Sequence, residues 1–396
     1  MRTNGFALFV GEGAGSRAVE EASRVERFSK GVVAWAGGEF GPLSEARLEG
    51  EKEVVLAYTL GGAGFPLVHG VVEEGAGGEY SILGRGAAGF YGERDSLGTR
   101  GLWTEGDSMA SDYRLLGAGA RLVTAGGRFE RGETSSGPAR EPEKLDLTFE
   151  EAGRELASLL GAVVRGRVAG RRRVAVSFSG GLDSSLLALL ASRHAEVVLC
   201  SAFAPGSRDE EQTGRAAGLL GMELKSAVLD QDEVARLTRG AVLPPGESTP
   251  MDLALWSIYS TTSLLASEAG AETILLGQLA DELFGGYSKY AARARDGGEA
   301  EAERMMKDDA RSCAERGLLR DEAACSARAE AMFPYADERV ASFAWGLPFG
   351  FKVREGERKA VLREAAAEAG LPEELARAPK KAAQYSSGAA KLVGRL

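Results

Sequence analysis

Beyond Thr148 the chain alternates short apolar, β-branched runs with longer helical patterns, and this alternation constrains the fold more than any other feature. "RRVAVSF", "EVVLCSAF", "LKSAVL" and "ETILLG" read as strands. "SSLLALLASR", "DEEQTGRAAGLLG" and a segment from about Met251 to Ala269 read as the helices between them. Strands separated by helices predict βαβ units and a parallel sheet. Thr148 with Glu151 fits a capping box that opens a helix over "FEEAGRELASLLGAVVRGR". From Glu299 onward the pattern is largely helical.

The first part of the chain is organised differently. Up to about Arg121 it is glycine-rich, with short β-like runs such as "EVVLAYTL", "EYSIL" and "ARLVTA" separated by turn signals. That predicts a mostly antiparallel β unit. "RGETSSGPAREPEK", from Arg131 to Lys144, is polar and holds Gly, Ser and Pro, so it reads as an exposed linker. The expected division is a first domain over 1–130, a linker over 131–147 and an α/β domain over 148–396. "GRGAAG" (Gly84 to Gly89) satisfies a dinucleotide-loop pattern, but β-like sequence rather than a helix follows it, so a β-turn is the expected conformation.

Several function classes drop out on composition. A net charge of −10 argues against a large nucleic-acid footprint. The one basic run, "RGRVAGRRRV" from Arg165 to Val174, reads as a solvated helix end and strand start. His69 and His194 are the only histidines, which disfavours a Ser-His-Asp triad or a histidine-rich metal site. Cys200, Cys313 and Cys325 form no CxxC and read as reduced core thiols. No apolar run reaches the length of a membrane span and no signal-peptide pattern opens the chain, so a cytoplasmic protein without membrane contacts is expected.

In a parallel sheet, ligands sit outside the carboxyl ends of the strands. "SFSGGLDSS" lies at such a place, after the first α/β strand and before a helix. The glycine pair Gly180 and Gly181 lets backbone amides converge, the helix N-terminus adds positive potential, and the hydroxyls of Ser179, Ser184 and Ser185 can donate to phosphate oxygens. Asp183 would repel a bare phosphate; a bound Mg²⁺ resolves that conflict by taking Asp183 as a ligand. The plainer alternative is an N-cap loop with Asp183 and Ser184 as capping residues.

"SFSGGLDSS" resembles the pyrophosphate loop SGGxDS of ATP pyrophosphatases, and "LLGQLADELFGGYSKY" (Leu275 to Tyr290) resembles the GEGxDELFGGY segment of asparagine synthetases. "AEAMFPYADERV" and "GERKAVLREAAAEAGLP" resemble two further stretches of that family, in the same order. The resemblance implies a parallel-sheet domain of the adenine-nucleotide α-hydrolase type followed by helices. It also implies an enzyme that activates a carboxylic acid with ATP and Mg²⁺, releases pyrophosphate, and lets ammonia or another amine displace AMP to form an amide. Its partners would be those small molecules and no nucleic acid; a homodimer is compatible with it.

Carried onto this chain, the resemblance assigns Asp183 and Asp281 to the metal, with Gly277 beside the nucleotide and Lys359 at the pyrophosphate. Lys380, with Lys381 as immediate rival, matches the catalytic lysine. Glu330 is a candidate site carboxylate, with a structural role as the equal alternative. Two departures bear on substrate. Gln278 stands where the family places a titratable acid, or a tyrosine in relatives that close β-lactam rings, and Leu279 replaces the next glycine. "LPPGESTPMDL" keeps Ser248, Thr249 and Pro250 but has Gly246 and Glu247 where an arginine usually clamps the α-carboxylate of aspartate.

The first part of the chain resembles the glutaminase domain of the same family: "NGFALFVG" matches CGIAGFVG, and "ERDSLGTRGLW" matches RDRFGIRPLY. Asn4 takes the position of the nucleophilic cysteine, behind Met1, Arg2 and Thr3, and an amide cannot attack glutamine. A degenerate domain without glutaminase activity is the expectation. Aspartate is the default acid by resemblance alone; intramolecular amide closure and a non-catalytic nucleotide-binding scaffold are the alternatives.

Overall fold

Val174, Ala175 and Val176 are apolar without alternation, the pattern of a strand covered on both faces, and all three are fully buried. The computed structural model describes residues 144–378 except 242 and 244–247, then 387–394, and before them the backbone of strands between Gly5 and Ser136. The chain divides into two compact units, Met1–Glu141 and Pro142–Leu396.

The first unit holds two six-stranded sheets whose pairings are antiparallel throughout. The strand Gly5–Val10 lies inside one of them. Strands Glu79–Gly86 and Gly89–Arg94 pair antiparallel, with Gly86 opposite Gly89, so "GRGAAG" joins a hairpin and opens no helix. Strand Glu133–Ser136 pairs with Gly127–Glu130 inside the stretch read as a linker, and the two units part only after Glu141.

The second unit is built on a parallel sheet. In chain order its strands are β1 (Arg173–Ser177), β2 (Glu196–Phe203), β3 (Glu223–Val228), β4 (Thr273–Leu275) and β5 (Glu330–Met332). Their spatial order is β3-β2-β1-β4-β5, every pair parallel. The order therefore reverses between β1 and β4, and a crevice opens outside their carboxyl ends at that switch point.

The connecting helices are α1 (Phe149–Val168), α2 (Leu182–Ser192), α3 (Arg208–Leu220), α4 (Gln231–Arg239) and α5 (Pro250–Glu268). Thr148 caps α1 as expected: its hydroxyl accepts from Glu151 N at 3.2 Å while Thr148 N donates to the Glu151 carboxylate at 2.8 Å. Leu156, Leu160, Val163, Val164 and Val168 recur on one face of α1 and are buried. A second capping box, Thr249 with Asp252 and Pro250 at the first helical position, starts α5.

The basic run is less solvated than its composition suggests. Arg167 is 2% exposed and pairs at 3.1 Å with Asp337, itself 1% exposed. Arg171 is bonded to Thr273 and Glu330. Cys200 and Cys325 are buried and no cysteine is disulfide-linked. Burial pushes the Cys200 thiol up to about 12, so it stays protonated at neutral pH.

Lys352, which closes the short helix Phe349–Lys352, is 4% exposed. Burial pushes its ammonium down to about 8, against the pull of Glu303 and with the repulsion of Lys307. Between about 8 and the ordinary lysine range near 10.5 the unfolded chain holds a proton that the folded chain has lost, so this group adds stability as pH rises through that window. Lys352→Met is therefore expected to raise the urea midpoint at pH 7, with the advantage over wild type closing by about pH 10.5. Urea titrations at pH 7, 9 and 10.5 measure this directly.

Candidate active site

The loop between β1 and α2 is shaped by two glycines. Gly180 has φ +69°, and a Cβ there would lie 3.0 Å from the carbonyl oxygen of Gln212 on α3. Only glycine combines that conformation with that approach. Gln212 fixes the turn by donating to Gly180 O at 3.1 Å. Gly181 then forms the N-cap of α2 without a side-chain cap bond, so the amides of the first helical turn face outward unpaired by a capping side chain. Ser184 Oγ lies 3.3 Å from Ser179 N and 3.4 Å from Ser179 Oγ, bringing two hydroxyls to one side of the loop. Ser185 is fully buried one position further, and its hydroxyl has no partner among the described residues.

On the other side of the crevice, β4 leads into the short helix Ala280–Phe284 through Gly277, Gln278 and Leu279. A Cβ at Gly277 would meet Asp183 Cβ at 3.2 Å, so the two loops touch. Leu279 takes φ +70° as the residue before the helix, a conformation that costs a non-glycine residue about 1–2 kcal/mol. Leucine thus occupies a left-handed position of the kind glycine adopts without strain. Leu279 is 1% exposed, and burial of its side chain offsets part of that strain.

These two turns bring Asp183 and Asp281 onto one cation, the ammonium of Lys359. Lys359 Nζ donates to both carboxylate oxygens of Asp183 at 2.6 Å and lies 2.8 Å from Asp281 Oδ1. Lys359 is 1% exposed, while each aspartate is 14% exposed. It precedes the helix Ala360–Glu368 in a left-handed conformation, φ +59°. Tyr335 donates to Asp183 O at 3.1 Å and packs edge-on against Phe284, tying the two aspartate turns together from below. Arg358 donates to Gly286 O at 2.9 Å. Glu282, beside Asp281, accepts from the Tyr287 hydroxyl at 2.8 Å. Burial first, and the charge of Asp281 second, raise the Glu282 carboxyl to about 7.

Gln278 is held by a buried polar chain that the sequence analysis did not single out. Its Nε2 donates to Asp321, a fully buried carboxylate. Asp321 also accepts from Arg320 Nε at 2.7 Å, and Arg320 Nη1 reaches Asp252 Oδ1 at 2.7 Å. Asp252 in turn accepts from Thr249 N at 2.9 Å. The chain thus links the turn after β4 to the first turn of α5. Burial raises the Asp321 carboxyl, with Arg320 opposing.

Of the residues singled out from sequence, the structure brings together Ser179, Gly180, Gly181, Asp183, Ser184, Gly277, Asp281 and Lys359 around the crevice, with Gln278 on its wall. Glu330 is not part of that group. It starts β5 opposite Thr273, at the end of the strands away from Gly277, and its Oε2 accepts from Arg171 at 2.9 Å. The structural alternative for Glu330 therefore replaces the site reading. Lys380, Lys381, Gly246 and Glu247 lie outside the described residues, as does Asn4.

A Mg²⁺ ion that bridges phosphates takes one or two protein carboxylates and keeps its remaining positions for water and phosphate oxygens. Asp183 and Asp281 fit that demand, and the ammonium between them stands in for the cation. No group of three or more His, Cys, Asp or Glu side chains converges among the described residues, so a dedicated all-protein metal cage is not what this arrangement offers.

The asparagine synthase family model matches residues 155–300 and 293–396. The chain belongs to the asparagine synthase family. It is 30% identical over 290 residues to "Putative asparagine synthetase (glutamine-hydrolyzing) 1" of Methanocaldococcus jannaschii, covering 63% of this chain and 53% of that one. It is 27% identical over 292 residues to asparagine synthetase domain-containing protein 1 of Mus musculus, covering 56% and 46%. To the asparagine synthetase (glutamine-hydrolyzing) of Cricetulus griseus it is 27% identical over 264 residues, covering 62% and 45%. The chain spans about half the length of the curated relatives it matches. No helix among the described residues is long and apolar enough to cross a membrane.

Proposed function

We propose that this chain is an ATP-dependent amide synthetase that forms AMP and pyrophosphate and uses ammonia or another amine as nitrogen donor. The observation that carries this is the convergence of Asp183 and Asp281 on one cation at the switch point of the parallel sheet, beside the glycine turn that opens α2. The N-terminal amides of α2 and the hydroxyls of Ser179 and Ser184 would receive the β- and γ-phosphates. Asp183 and Asp281 would hold Mg²⁺, whose charge supports departure of pyrophosphate.

In the first step a carboxylate oxygen of the acid bonds to the α-phosphorus as the bond to the β-phosphate oxygen breaks. In the second, an amine nitrogen bonds to the acyl carbon and AMP leaves with the electron pair. Holding acid, nucleotide and amine in one crevice removes most of the entropic cost of their encounter. Gln278 cannot take up the amine proton, because its amide is not basic and its Nε2 is committed to Asp321. The proton must pass to another group or to solvent, and Lys380 or Lys381 is the proposed cation at the reacting centre. With Asn4 in place of a nucleophilic cysteine, nitrogen is drawn from free amine rather than glutamine.

Aspartate with ammonium is the first acid and amine pair to test. AMP and pyrophosphate released from MgATP are measured with both, then with aspartate omitted, and then with Asp183→Ala. Aspartate-dependent AMP at a rate at least ~10³-fold above the variant is expected. AMP formation at equal rates in wild type and Asp183→Ala would remove this crevice from the chemistry. Glutamate release from glutamine by the pure protein would overturn the absence of glutaminase activity.

A further inference from the structure

We propose that Lys359 is a built-in counter-cation that bars a bare divalent metal from the Asp183–Asp281 pair, so that metal enters only with a polyphosphate that draws the ammonium away. The proposal rests on the nucleotide reading above and adds to it an order of loading.

Three carboxylate oxygens lie within 2.8 Å of Lys359 Nζ. A magnesium ion requires oxygens at about 2.0–2.1 Å in a near-octahedral shell and gives up its water reluctantly. The ammonium and the metal therefore compete for the same oxygens. On the Gly286 side the pair is closed: a Cβ placed on Gly286 would lie 1.8 Å from Asp281 Oδ1 and 2.5 Å from Lys359 Cε. One cation occupies the pair at a time.

The cost of exchange falls on Lys359. At 1% exposure it cannot reach solvent from where it sits, and its backbone is held in a left-handed conformation at the start of the helix Ala360–Glu368. Glu282, the neighbouring carboxylate, accepts the Tyr287 hydroxyl on Oε1, which leaves only Oε2 open to a displaced ammonium. Arg358, on the adjacent residue, is turned toward Gly286 O. A bare metal brings no acceptor for the displaced ammonium and leaves a buried charge unpaired, which proteins avoid strongly. A polyphosphate brings several anionic oxygens. The ammonium can move from carboxylate to phosphate as the metal takes its place, and no charge is stranded at any stage. The same side chain then passes from blocking the metal to binding the leaving group.

The test is equilibrium dialysis of the full chain against Mn²⁺, with retained metal measured alone and with an ATP analogue that cannot be cleaved between the α- and β-phosphates. Wild type is expected to retain Mn²⁺ at this pair at least ~100-fold more tightly with the analogue than without it. Lys359→Met is expected to retain Mn²⁺ without nucleotide at least ~10-fold more tightly than wild type, and Asp183→Asn to abolish that gain. Equal affinity of wild type and Lys359→Met for Mn²⁺ alone overturns the proposal. Where Lys359→Met does not fold, wild type decides: metal retained equally with and without analogue overturns it. Failure of wild type to bind the analogue at all is a separate result, and it overturns the nucleotide reading and this proposal together.

Discussion

Gly286→Ala is expected to weaken MgATP binding by at least ~100-fold while leaving a folded protein, because one methyl group would be placed inside the cation site. The added Cβ would fall 1.8 Å from Asp281 Oδ1, 2.7 Å from its Cγ and 2.5 Å from Lys359 Cε. These atoms are side-chain ends that can rotate away, but rotating them separates Lys359 from Asp281. Asp281 sits in the first turn of a five-residue helix whose carbonyl accepts from Gly286 N at 2.8 Å, and Lys359 is fixed in a left-handed backbone conformation. Overpacking costs about 1–3 kcal/mol of stability. The larger effect falls on function, since splaying Asp281 away disrupts contacts of the proposed cation site, each worth about 1.5–3 kcal/mol, and about 2.7 kcal/mol is a 100-fold loss of binding. Gly166→Ala is the matched control. It lies within α1 with nothing within 4 Å of its added Cβ, so a gain of about 0.5–1 kcal/mol and no change in nucleotide binding are expected. Calorimetric titration with MgATP and urea unfolding of both variants separate the two effects. Unchanged MgATP binding in Gly286→Ala would show that nucleotide does not use the Asp183–Asp281 crevice.

Much of this crevice was legible in the sequence because its parts are local. A strand of continuous apolar residues, a glycine pair and a helix start are contiguous in "VAVSFSGGLDSSLL", and the physical need for each is met within a few residues. Asp281 was legible for the same reason, together with its resemblance to a known segment. The features that were not legible depend on distant parts of the chain. β5 is three residues long inside a helical stretch, and "EAM" becomes a strand only because the edge of β4 is open beside it. Lys359 was legible as a pyrophosphate candidate through its resemblance to a known segment, but its contact with both aspartates was not. Its burial between carboxylates 176 residues back and on another loop is a product of topology. Glu330 shows the converse. Its sequence left a site role and a structural role equally open, and strand direction carries it to the opposite end of the sheet, where its Oε2 accepts from Arg171.

Arg320 and Asp321 sit in "RGLLRDEAAC", where adjacent opposite charges on a helix suggest a solvated face. The structure buries both, and the second large effect is expected there. Asp321→Ala is expected to cost about 3–5 kcal/mol, because removing one partner of a buried pair strands the other. Arg320, with its side chain 8% exposed, would keep only Asp252, and Gln278 would lose its acceptor. Asp321→Asn is expected to cost less, about 1–2 kcal/mol, since an amide oxygen can still accept from Arg320 and the native carboxyl is already disfavoured in its charged form by burial. The double variant Arg320→Met with Asp321→Leu removes both charges and is expected to be more stable than Asp321→Leu alone, and the cycle closed with Arg320→Met alone is expected to give a coupling of at least ~1 kcal/mol. Additive losses would mean that the two side chains do not depend on each other. The functional consequence follows from where the chain of bonds ends. Asp252 caps the first turn of α5 and Gln278 stands next to Gly277, which touches Asp183. Loosening the Asp321 link therefore frees both the wall at Gln278 and the helix start after Ser248 and Thr249, so the acid's KM should rise more than kcat falls once the acid is known. Nucleotide binding, proposed to rest on the β1–α2 turn and the two aspartates, should stay within about threefold of wild type in Asp321→Asn, where the link is weakened but both ends remain folded.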